Sequence, residues 1–87
     1  MYEEIDEPID VIAEFAVDPK RGTTKMRPVS FIWQKRDYEI SEITFIWQAK
    51  EGDTKYLYFA AQNGANTYEI RYDTHAIEWR LSKIHIN

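Results

Sequence analysis

The chain has 87 residues and a formal net charge of −4; 44% of its residues are hydrophobic, and 3 Trp, 6 Tyr and 4 Phe supply aromatic bulk. That length and apolar content predict one small folded domain over 1–87 and exclude a disordered chain. There is no cysteine, which excludes disulfide scaffolds and thiolate metal sites. The longest apolar run, at 56–61, is six residues, far below a membrane span.

Charge is unevenly placed. Residues 1–18 hold seven acidic side chains (Glu3, Glu4, Asp6, Glu7, Asp10, Glu14, Asp18) and no basic one, whereas 19–87 hold eleven basic and eight acidic ones, a net of +3. The opening Met-Tyr-Glu-Glu-Ile-Asp-Glu has neither a basic nor an apolar segment, so no secretory leader is expected and a cytoplasmic setting follows. Residues 1–8 read as a flexible acidic N-terminus. Either they compete with an anionic partner for the basic body, or they keep a solvated edge strand soluble.

No stretch carries helical periodicity with caps, whereas alternation is strong throughout. Ile9, Val11, Ala13, Phe15 and Val17 alternate with mostly polar partners and predict a first strand. Residues 18–28 read as a basic loop by composition. A second strand runs over 29–34, with Val29, Phe31 and Trp33 on one face, and a tight turn is placed at Lys35-Arg36. The third strand starts at Asp37. Tyr38 and Ile40 share one parity while Ile43, Phe45 and Trp47 share the other, so a β-bulge is expected at Ser41-Glu42. Glu51-Gly52-Asp53 is a turn, and a fourth strand spans 55–62.

Asn63-Gly64 is a strong hairpin signal, because both central residues of a type I′ turn need positive φ. With that pair at the centre, Phe59 faces Tyr68 and Tyr58 faces Glu69. A fifth strand covers 67–73, and a turn at 73–76 leads into the sixth, in which Asp73 caps its own turn. There Ile77, Trp79 and Leu81 switch parity with Ile84 and Ile86, placing a second bulge at Ser82-Lys83. The expected fold is all-β: a single-domain antiparallel meander of about six strands, forming a strongly coiled sheet or a small, partly open barrel. Its expected interior holds Val29, Phe31, Trp33, Ile43, Phe45, Trp47, Leu57, Phe59, Tyr68, Ile70, Trp79 and Leu81.

Phe31-Ile-Trp33-Gln-Lys-Arg36-Asp-Tyr38, then Trp47, then Tyr68-Glu69-Ile70-Arg71-Tyr72-Asp73, then Trp79-Arg80-Leu81 form an aromatic pattern. It resembles a bacterial family of small domains of unknown function, with related segments at the C-terminal end of Y-family, error-prone DNA polymerases. The resemblance covers 29–87. It implies an association with DNA repair or replication and carries over no catalytic or cofactor-binding residue.

Chemistry-bearing constellations are sparse. His75 and His85 are the two histidines, and neither stands in a metal-ligand spacing. Nucleophile, base and orienting group never occur together, so no catalytic residue, metal or cofactor is expected. Two binding readings remain. Lys20, Arg21, Lys25 and Arg27 with Lys35 and Arg36 make a candidate anion or nucleic-acid contact, to which outward Tyr56 and Tyr58 add stacking surfaces. Against it stands a pI near 5.1, well below nucleic-acid-binding domains. The favoured reading is a non-enzymatic module binding a protein partner or a second copy of itself. Ile32, Ile46, Tyr56 and Tyr58 are expected outside on successive strands, as one apolar stripe.

Overall fold

The computed structural model describes residues 1–86. It is all-β and antiparallel: β1 (Tyr2–Pro8), β2 (Asp10–Asp18), β3 (Thr23–Trp33), β4 (Arg36–Glu39), β5 (Glu42–Glu51), β6 (Thr54–Asn63), β7 (Asn66–Asp73) and β8 (Glu78–His85). They form a five-stranded sheet in the order β1-β8-β7-β6-β5 and a three-stranded sheet in the order β2-β3-β4. None of the described residues is helical, so no helix is long and apolar enough to cross a membrane.

The chain passes between the sheets twice, and backbone hydrogen bonds mark each corner. Ile9 N–H donates to Trp79 O at 3.2 Å, in the larger sheet. Asp10 already pairs with Ile32 in the smaller one. Ile40 N–H donates to Val29 O at 3.0 Å, and the next residue, Ser41, donates to Gln62 O at 2.9 Å. Strands that switch sheets make such corners in packed sheets. The sheets do not close into a barrel. The parity switch expected at Ser41-Glu42 is therefore a corner, not a bulge, and the third expected strand is two elements, β4 and β5. The other expected bulge is present: Glu69 pairs with Lys83 and Ile70 with Leu81, leaving Ser82 as the extra residue.

Two expected irregular segments are ordered strand. The acidic N-terminus, expected to be flexible, is β1, which pairs Tyr2 with His85 and Glu4 with Lys83. It satisfies the open ladder of β8, and Ile5 packs against the core. The expected basic loop at 18–28 is a turn only over 19–22; Thr23 onward is β3, laddered to β2. Pro28 is tolerated there because it adjoins a bulge at Val29, where the register slips between Ile12 and Ala13. That bulge also takes Val29 out of the expected interior, leaving it 37% exposed.

Ile9, Phe31, Phe59, Ala61, Tyr68, Ile70, Leu81 and Ile84 are buried and form the core. Tyr68 of β7 ties the sheets together, its ring 5.3 Å from both Phe31 and Tyr38 of the smaller sheet. Trp33 and Trp79 pack against this core as expected. Phe45 and Trp47, expected inside, are exposed instead.

Two turns sit one residue away from their expected centres. The β6–β7 turn is centred on Gly64-Ala65, with Asn63 opposite Asn66. Gly64 has φ 61° and Ala65 is not among the positive-φ residues, the signature of a type II′ turn. Phe59 consequently faces Ile70, and Tyr58 faces Arg71. The β3–β4 turn is centred on Gln34 (φ 52°) and Lys35 (φ 62°), a pair with the dihedral signs of type I′ but without its usual glycine.

Candidate functional site

The outer face of the five-stranded sheet is assembled by a bulge in β5. Ile43 pairs with Ala61 and Phe45 with Ala60, so Thr44 is an extra residue. Its Oγ1 donates to Ala60 O at 3.4 Å. The insertion reverses the parity of everything after it. Ile43 stays against the core, while Phe45 and Trp47 turn to the outer face, 69% and 36% exposed.

There they meet the outward tyrosines of β6. Trp47 lies directly across from Tyr58, and their rings stack at 5.1 Å with an 8° interplanar angle. Phe45 meets Trp47 edge-on at 6.4 Å, and Tyr56 adjoins Tyr58 at 6.5 Å. From β7, Arg71 sets its guanidinium 4.7 Å from the Tyr56 ring centroid, a cation–π contact.

Burial opposes the Arg71 charge. The Tyr58 phenol and the Asp6 carboxylate beside it outweigh that burial and hold the guanidinium above its ordinary value. Asp6 Oδ1 lies 3.5 Å from Arg71 and 3.3 Å from Arg80. Arg80 also donates to the Asp6 carbonyl at 2.9 Å and to Glu78 at 3.1 Å. These exposed pairs orient the row and add little stability, at most about 1 kcal/mol each. The row runs Phe45, Trp47, Tyr58, Tyr56, Arg71, Asp6, Arg80 and touches all five strands.

The four residues expected to form one apolar stripe are divided. Tyr56 and Tyr58 belong to this row. Ile46, 59% exposed, is on the opposite face of β5, at an open cleft of about 620 Å³ shared with Met26 and Ile43. Ile32, 39% exposed, is in the other sheet between Asp10 and Asp37. Phe45 and Trp47 were missed as surface residues because unbroken alternation assigned them to the core. The repeated Phe-Ile-Trp-Gln gives no hint of the difference: the first copy, at 31–34, faces inward and the second, at 45–48, faces outward.

The six basic candidates do not converge. Lys20 and Arg21 cap the β2–β3 turn, their N–H groups donating to Asp18 Oδ1 at 2.9 and 3.4 Å. Lys25 and Arg27 follow on β3, and Arg27 is ion-paired with Glu14. Lys35 and Arg36 stand at the far end of β3, whose 11 residues extend about 35 Å.

Asp73 caps its turn as expected, Oδ1 accepting from His75 and Ala76 N–H at 2.9 Å each. The Ala76 hydrogen bond first, then the His75 one, hold its carboxyl below its ordinary value. Among the described residues no three His, Cys, Asp or Glu side chains cluster to hold a metal ion. The chain matches no protein-family model, no curated protein and no solved structure.

Proposed function

We propose that this chain is a non-enzymatic, cytoplasmic protein-docking module that accepts a partner strand along β5 and covers it with the rings of the outer face. The supporting observation is that β5, an edge of its sheet, carries three successive exposed apolar residues: Phe45, Ile46 and Trp47. Edge strands present unpaired backbone groups, and soluble proteins ordinarily blunt them with charge. An edge left apolar on both faces is suited to strand addition, in which the backbone supplies affinity and alternate side chains supply specificity. Trp, Tyr and Arg are also the residue types that dominate binding energy at interfaces.

Extended peptides selected from a random library on the immobilised protein test this reading. They are expected to bind Trp47→Ala about 30-fold more weakly, the equivalent of roughly 2 kcal/mol at a central anchor. A library yielding only peptides indifferent to Trp47→Ala and Ile46→Lys would exclude it.

A second reading, a nucleic-acid accessory of DNA repair or replication, draws on one observation: Trp47, Tyr58 and Arg71 share one sheet face, an arrangement on which single strands stack. The aromatic resemblance to polymerase appendages points the same way. It requires that labelled single-stranded DNA bind at low salt, release as salt rises, and lose affinity with Trp47→Ala. DNA that never binds at low salt removes it.

A further inference from the structure

We infer that the strand accepted by β5 is β5 of a second copy, paired antiparallel about a twofold axis at Trp47. This rests on the docking reading above and names its occupant.

Charge selects the partner. The sheets have four edge strands: β1, β5, β2 and β4. β1 carries Glu3, Glu4, Asp6 and Glu7; β2 carries Asp10, Glu14 and Asp18; β4 carries Arg36, Asp37 and Glu39. β5 has the longest uncharged run, seven residues over 43–49, against runs of three in β2. Two copies at net charge −4 repel over most approaches. A β5–β5 contact centred on this neutral run sets no carboxylate against another. A basic strand would find better complements on β1 or β2, so β5 suits a neutral, apolar strand, and this chain presents one.

The register follows from what bounds the run. On one side stands the Thr44 bulge, which interrupts a ladder. On the other stands Lys50, already facing Lys55 across the hairpin. Five regular residues, 45–49, remain, and their midpoint is Trp47. Centred there, Phe45 lies opposite the partner's Ala49, Ile46 opposite the partner's Gln48, and Trp47 opposite its own copy. Directly opposed residues share a face, so each large Phe45 ring meets a small Ala49. Centring on Ile46 drives the bulge into the new ladder, and centring on Gln48 sets Ile46 against Lys50. The contact is isologous and closes as a dimer. It joins two sheets of five strands each and runs their aromatic rows together.

Sedimentation across low to high micromolar concentration tests this. The expected result is a doubling of the 10.4 kDa mass as concentration rises. Ile46→Lys, at an exposed site that the fold does not need, should abolish the doubling while its circular dichroism matches that of the parent. A second measurement uses the absence of cysteine. Under mild oxidation Trp47→Cys should form a covalent dimer, because opposed Cα atoms about 4.5–5.5 Å apart suit a disulfide. Ile12→Cys, on the acidic β2 edge, should not. A monomer at every concentration overturns self-pairing, whereas selected peptides that still need Trp47 would leave the docking reading standing. A dimer that survives Ile46→Lys, or one linked through Ile12→Cys and not Trp47→Cys, also overturns it.

Discussion

Asp18 and Asp73 build the same turn from different residues. In each, the aspartate side chain accepts the N–H groups two and three residues on. Its carbonyl accepts the N–H four residues on, Gly22 at 2.8 Å and Ile77 at 2.9 Å. That fourth residue has positive φ in both, 65° at Gly22 and 56° at Ile77. Glycine adopts this conformation freely, whereas a β-branched side chain is strained in it. Ile77 is also 74% exposed, so it gains little from burial. Ile77→Gly is therefore expected to stabilise the protein by about 1 kcal/mol in urea unfolding.

The Asp73 carboxyl is worth more in the folded state when ionised, because Ala76 and His75 N–H bond to the anion. Its folded pKa is depressed, so its contribution is complete above the unfolded value of about 3.9 and is lost as pH falls through the folded one. Asp73→Ala should be less stable than the parent at neutral pH. The gap should close in strong acid, as thermal unfolding across pH would report.

At the scale of the element, alternation identified β2, β6, β7 and β8, and the inner face of β6, β7 and β8, because a strand half covered by another sheet must alternate. In β2, Phe15 and Val17 of the alternating series are 69% and 67% exposed. The Ser82 bulge was legible because two apolar series in one strand disagreed in parity. The Thr44 bulge was not, since Ile43, Phe45 and Trp47 read as one unbroken series and one extra residue changes no local pattern. In the bulge, Thr44 and Phe45 together oppose Ala60. Deleting Thr44 should thus leave Trp47 on the outer face. Its fluorescence should remain solvent-exposed, while a longer regular edge should strengthen self-association in sedimentation. A blue-shifted Trp47 emission in that deletion would contradict this account of β5.

Across the whole molecule, the two sheets are held by a few rings. Phe31 and Tyr38 stack at 5.0 Å, and Tyr68 closes the cluster from the opposite sheet. Tyr68 is 6% exposed, and its loss leaves a cavity at the junction. Tyr68→Ala should cost about 3–5 kcal/mol, a large share of the roughly 4–13 kcal/mol expected for a chain of this length. Urea unfolding should show one transition with a lowered midpoint. Two separated transitions would mean that the sheets fold independently.

Strand content, antiparallel class, most inner faces and the Asp73 turn were determined by the sequence itself, since each depends on neighbours within a few residues. The acidic start gave no such signal: Tyr2–Pro8 becomes a strand because β8, distant in sequence, offers it a ladder. Tertiary structure alone decided which apolar residues are covered. Phe31 and Phe45 occupy the same four-residue motif, yet Phe31 is 1% exposed and Phe45 69%. A side chain's parity sets the face on which it stands, but corners, bulges and the order of strands determine whether anything lies over that face.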